Sequence, residues 1–229
     1  MEPPERPSKA YDATIAAFNA AGALAPPAGV AAAVISQRVQ AVINDRLYQF
    51  LEDFVREYNE RDLVSEVLDS EDFVNAAVFA ARAAQTTSEA AKLDALRKCL
   101  LSALLPGAPS RDEQAHFMRL VDRFSGTHLL VLDHLADPNR RYPNGLPVGA
   151  GSTRRRLLEQ TFPILEGRSE WLDLVWSDLH NGRLVTTGPE QAMTMMTSGG
   201  VRAGIATPLG LRFLRFIRAE QQDASPSEP

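Results

Sequence analysis

From Val30 to about Asn59 the chain repeats apolar side chains every three or four residues: Val34/Ile35, Val39, Val42/Ile43, Leu47, Phe50/Leu51, Phe54/Val55 and Tyr58. That spacing lines one face of an α-helix. Arg38, Asp45, Arg46, Glu52, Asp53, Arg56 and Glu57 occupy much of the remainder. Such a helix is roughly 45 Å long at about 1.5 Å per residue, and its apolar stripe has to be covered. Helices of the same chain would make it the spine of a bundle; a second copy would make it a dimerisation helix.

The same period returns in shorter pieces. Tyr11–Leu24 reads as a short helix stopped by Pro26-Pro27, with Gly29 completing the turn. After a short segment, Asp62–Leu68, the pair Asp69-Ser70 supplies an N-cap, and Glu71 and Asp72 fall where the helix dipole favours anions. Phe73, Val74, Ala77, Val78 and Ala81 share the next face. Thr86-Thr87-Ser88 ends that helix and caps another, striped by Leu93, Leu96, Cys99, Leu100, Ala103 and Leu104. Ser110 and Glu113 form a capping box for a helix reaching about Phe124. Ser125-Gly126-Thr127 interrupts, and Leu129–Leu135 continues as a short apolar helix. No internal repeat links these elements.

Turn formers dominate Asp137–Pro147, the clearest linker. Beyond it, Thr153–Thr161 and Glu170–Asn181 read as helices. Ser169 caps the second, and Gly182 is its expected C-terminal glycine. Trp171, Leu172, Val175, Trp176 and Leu179 form that helix's buried stripe, leaving Glu170, Asp173, Leu174, Ser177, Asp178 and His180 outward. A glycine-tipped β-ribbon follows, and Thr207-Pro208 opens a closing helix. Residues 1–9 and 219–229 read as disordered tails.

This order resembles winged-helix domains of the MarR and PadR type over residues 126–217. The matching features are a first helix at Thr127–Leu135, a second at Arg154–Gln160, and a third ending Leu179-His180-Asn181-Gly182-Arg183-Leu184-Val185. The ribbon and the Thr207-Pro208-Leu209-Gly210 start complete the match. Arg183 is inserted relative to the family's glycine-leucine-valine wording, and the linker after the first helix is longer than usual. The resemblance implies a third helix that enters the DNA major groove and a wing that touches phosphates. The expected fold is therefore mainly α: a helical bundle over 10–136, a linker at 137–152, and a winged-helix-like α+β unit over 153–218 that borrows helix 127–135.

Charge changes that picture. The net charge is −5 with a pI near 5.4, which gives no general drive towards nucleic acid. Between Gly151 and Arg218, nine arginines face six acidic residues, a local +3, leaving −8 elsewhere. The third helix nevertheless presents three acids and no arginine where phosphates would lie, and the wing supplies only Arg202. The winged unit is accordingly expected to contact protein through Glu170, Asp173, Ser177, Asp178 and His180. DNA binding is kept as the alternative.

Constellations for chemistry are sparse. Ser152, Thr153, Arg154, Arg155 and Arg156, after Gly149-Ala150-Gly151, together with Arg202, are the candidate phosphate contacts, since a helix N-terminus and arginines both suit anions. An ordinary Ser/Thr cap after a flexible linker explains the same residues. Asp112 and His116 could share a helix face, but no second ligand pair, HExxH or Cys/His cluster accompanies them. Cys99, the only cysteine, lies on an apolar stripe and reads as a buried thiol. Met193, Met195 and Met196 suit either a ribbon's packed face or an adaptable contact surface.

No catalytic, cofactor or metal residues are assigned. No secretion signal is read at the N-terminus, and Ile15–Ile35 is too rich in alanine and proline to span a bilayer. The expectation is a non-enzymatic, cytoplasmic interaction or scaffold protein. It would form a homo-oligomer through Val30–Asn59. A winged-helix transcriptional regulator and a membrane-associated effector using Ile15–Ile35 are the alternatives.

Overall fold

The computed structural model describes residues 30–61, 68, 70–142 and 151–220. The expected helix at Tyr11–Leu24, most of Ile15–Ile35 and of Asp62–Leu68, and the end of the linker lie outside them. Among the described residues nine α-helices follow one another: α1 Val30–Glu60, α2 Glu71–Thr86, α3 Ala90–Ala103, α4 Arg111–Arg123, α5 Gly126–Ala136, α6 Arg154–Thr161, α7 Ser169–Asn181, α8 Ser198–Arg202 and α9 Pro208–Phe216. The chain divides into two compact units, Met1–Arg123 with Phe216–Pro229, and Phe124–Arg215.

The first unit is built on the C-terminal half of α1. Among the described side chains of α1, burial begins at Leu47 and continues through Phe50 and Phe54, whose ring meets Phe73 of α2 at 6.1 Å. Ser70 caps α2 by accepting from Phe73 N at 3.2 Å, as its place before two acids predicts. Ala76, Ala77, Ala80, Ala81, Ala83 and Ala84 are all buried along α2, so small side chains let its neighbours approach closely. α3 contributes Leu96, Cys99, Leu100 and Leu101, and α4 contributes Phe117, Leu120 and Val121. The cap before α3 differs from expectation: Glu89 holds the cap position, and Thr87 Oγ1 accepts from the Glu89 amide. Arg97 ties α3 to α1, donating to Asp53 at 3.0 Å and Glu57 at 3.2 Å. After α9 the chain returns to this unit, where Ser102 Oγ donates to the Phe216 carbonyl at 2.6 Å.

The second unit packs α5 against α7 around the fully buried Trp176, whose indole N–H donates to the Thr187 carbonyl at 2.7 Å. The winged-helix expectation fails here. Among the described residues there is no β-strand, only an isolated antiparallel bridge between Val185 and Ala206. The reason lies in where the backbone donors of the supposed ribbon go. Met196 N donates to the Ser152 carbonyl and Gly151 N to the Met196 carbonyl, so this stretch pairs with the entry to α6. Ile205 N donates to Leu135 O at the end of α5. Pro189 opens a 3-10 turn, and Thr197 caps α8, which takes up the glycines expected at the wing tip. With these amides engaged elsewhere, the ladder is reduced to the bonds Thr186 N to Ile205 O and Thr207 N to Leu184 O on either side of the bridge.

Two turns replace what the family wording suggests. Gly182 is an ordinary right-handed residue with φ −72°, whereas Arg183 has φ +57°. Leu184 N donates to Leu179 O at 3.0 Å and Arg183 N to His180 O at 2.8 Å. This is a Schellman closure with an arginine in the left-handed position that normally favours glycine. Arg183→Gly is expected to stabilise the second unit by about 0.5–1 kcal/mol. Because Trp171 and Trp176 are the chain's two tryptophans and both belong to this unit, a later urea midpoint in tryptophan emission checks it.

Thr207 caps α9 by accepting from Gly210 N at 3.0 Å, and its own hydroxyl donates to Arg183 O at 2.6 Å. Gly210 thereby lies directly on the Leu184 carbonyl, which any Cβ would strike. Gly210→Ala is expected to cost about 2 kcal/mol through forced displacement of the α9 start, seen as an earlier urea midpoint in the same signal.

Candidate functional site

The residues expected to clasp an anion end in different environments. Arg154 shares its helix face with Leu157 and Leu158, so the period that buries the leucines also turns it inward. It is 6% exposed. Its guanidinium donates to the carbonyls of Gly200 at 2.7 Å and Ala203 at 2.8 Å, and at 3.4 Å to Val201. These are carbonyls that the end of α8 leaves without helical partners. Burial lowers the Arg154 pKa.

Arg155 pairs with Asp173 of α7, and its amide donates to Ala192 O at 3.1 Å. Arg156 is exposed, while its amide donates to the Thr153 hydroxyl at 3.1 Å. Thr153 is thus an N-cap, and Ser152 serves through its carbonyl. Arg202 is exposed at the end of α8, where its carbonyl accepts from Asn139. The N-terminal amides of Arg155 and Arg156 and the cation of Arg154 are consumed within the fold. The arrangement works as a clamp between α6 and α8.

The expected contact face of α7 is likewise partly turned inward. Glu170 and His180 are exposed, but Asp173 holds Arg155 and Ser177 accepts from Asn181 at 3.4 Å. Asp178 faces His128 Nε2 at 3.4 Å. On its other side, His128 Nδ1 lies 2.8 Å from Ser125 Oγ and accepts from the Ser125 amide at 3.2 Å. Serine, histidine and aspartate are the residue types of a hydrolytic triad. The geometry here is that of a helix cap. His128 stands three residues after the cap residue, its Nδ1 lone pair is engaged by the Ser125 amide, and its ring stacks on Phe124 with centroids 4.9 Å apart. The remaining ring N–H is then directed to Asp178, which fixes the tautomer.

His134 is different. It is 2% exposed on the buried face of α5, edge-on to Phe162 at 5.5 Å, and neither ring nitrogen has a hydrogen-bond partner. Its pKa is lowered from 6.5 to about 4, first by burial and then by the positive charge of Arg141, with Arg154 adding to the effect and Asp133 and Asp137 opposing it. The sequence reading assigns His134 no site role, as a solvated or core-edge histidine, and does not anticipate the burial of Arg154. The signal available was helical spacing: Val131, His134 and Leu135 share a face, as do Arg154, Leu157 and Leu158.

Cys99 is fully buried, and burial pushes its thiol pKa well up, which disfavours the thiolate needed for nucleophilic chemistry. Asp112 is exposed and His116 half-buried on α4. Among the described residues, no group of three or more His, Cys, Asp or Glu is placed to hold a metal ion. No described helix is long and apolar enough to cross a membrane. No protein-family model, curated protein or solved structure matches the chain.

Exposed apolar side chains gather elsewhere. Residues 37–46 of α1 contribute no buried side chain, and Val39 and Val42 stand 51% and 49% exposed. Val39 lies about 20° from Phe50 round the helix, so the two valines continue towards the N-terminus the stripe that carries Leu47, Phe50 and Phe54. The helix packs its own unit with the C-terminal part of this stripe and presents Val39 and Val42 on the part before it.

Proposed function

We propose that the protein is a non-enzymatic interaction module whose contact element is the N-terminal half of α1. The observation that carries this is the pair of exposed valines, Val39 and Val42, one turn apart on a helix whose other half anchors the first unit. Apolar side chains held in water at helical spacing are what a helix-to-helix contact uses. The second unit supports the reading indirectly. Its arginine and acidic side chains Arg154, Arg155, Asp173 and Asp178 serve internal bonds, which takes two arginines out of the expected phosphate contacts.

A photo-crosslinking amino acid placed at position 42 of the full chain, with one at exposed position 156 as control, tests this in the producing cell. Defined polypeptide adducts from position 42 and none from 156 are expected. No adduct at 42, or equal labelling at both positions, would overturn the proposal.

A further inference from the structure

Resting on that reading, we infer that the occupant of the exposed α1 face is a second copy of the same helix, paired antiparallel about a two-fold axis near Gln40–Ala41. Val39 and Val42 are spaced as the two seam positions of a heptad, and Arg38 and Asp45 occupy the same flanking position one heptad apart. In an antiparallel pair, that flanking position faces its own counterpart. The axis that sets Val39 of each copy against Val42 of the other therefore also brings Arg38 of each copy beside Asp45 of the other. Both charges are exposed, and the Asp45 carboxylate accepts only a long 3.5 Å bond from Gln49 on its own helix.

Parallel pairing sets each Arg38 beside the position of Ile43 and forgoes both ion pairs. Exposed pairs of this kind add little affinity but select orientation. Towards the C-terminus the same face turns polar at Arg46, Gln49, Asp53 and Arg56, and Asp53 is already held by Arg97. Antiparallel pairing centres on the two exposed valine layers. It places α2–α4 of the two copies at opposite ends of the paired helices.

The test uses the full chain. The only native cysteine, Cys99, is fully buried, so an introduced thiol is the sole accessible one among the described residues. Val42→Cys is expected to give a covalent dimer with a short bis-maleimide. Gln49→Cys is expected to give none, because antiparallel pairing holds two such residues roughly 25 Å apart along the axis. In sedimentation velocity, Arg38→Asp and Asp45→Arg alone should each weaken the dimer about tenfold. The double exchange R38D/D45R should restore it, and circular dichroism should show all variants folded.

Crosslinking at both 42 and 49, or failure of the double exchange to restore the dimer, overturns the antiparallel pairing. A strict monomer at 100 µM whose Cys at position 42 reacts freely with maleimide overturns self-association and leaves the interaction reading standing, with a different partner. A strict monomer in which that position is protected shows the face covered by the chain itself and overturns both.

Discussion

Arg154→Met is expected to destabilise the second unit by about 3–4 kcal/mol, lowering its urea midpoint in tryptophan emission by roughly 2 M. The methionine keeps much of the packing against Leu157 and Leu158. It removes the guanidinium that donates to the carbonyls of Gly200 and Ala203, with Val201 at longer range. Hydrogen bonds from a charged donor contribute about 1.5–3 kcal/mol each, and acceptors left buried without partners add a penalty of their own. Arg156→Met, two residues on from the clamp side chain and exposed, should change the stability by less than about 0.5 kcal/mol. Equal effects at the two positions would contradict the clamp and return all three arginines to the surface.

The second large effect concerns acid. Folded, His134 stays neutral down to about pH 4, while unfolded it takes a proton near 6.5. Below pH 6.5 the unfolded chain therefore binds more protons at this site, and stability falls as the pH is lowered. The full contribution is present above 6.5. It is lost progressively between 6.5 and 4 and levels off below that, a total of about 3 kcal/mol at 1.36 kcal/mol per pKa unit. Carboxylates also titrate at the lower end, so the measurement is a difference.

His134→Phe preserves a ring against Phe162 and removes the titration together with two unpaired buried nitrogens. The stability gap between variant and wild type should widen by about 3 kcal/mol from pH 7 to pH 4. A gap independent of pH would show that His134 reaches water or a partner in solution. At neutral pH the variant should already be more stable by about 1 kcal/mol, since a buried polar group without a partner is costly.

The helices were largely legible in advance because their evidence is local. Ser70 before Glu71-Asp72, Thr153 before the arginines and Thr207 before Pro208 each sit where a hydroxyl can take an orphan amide, and each does so. The buried stripe of α7 was readable from the spacing of Leu172, Val175, Trp176 and Leu179. The ribbon was not, because whether 193–206 forms a hairpin depends on which distant carbonyls compete for its amides. Ser152 and Leu135 win that competition, and nothing in the local pattern names them. A positive φ at Arg183 was hidden for a related reason. Gly182 beside it made glycine the obvious candidate for the turn, while the Leu179–Leu184 closure places the left-handed residue one position later. Of the candidate site residues, those on helices betrayed their direction through i, i+3 and i+4 neighbours, whereas their partners were invisible.

The way α8 is held has a consequence for how the second unit opens. Five residues with two glycines have almost no tendency to stay helical alone. What keeps them in place comes from far along the chain: the Arg154 guanidinium at their carbonyls, Asn139 on the Arg202 carbonyl and the Leu135 carbonyl on Ile205 N. Such a segment has no partial state of its own. Its amides should exchange with solvent deuterium together and at the rate of α5 and α6, so that a nominally frayed loop turns over on the clock of the core.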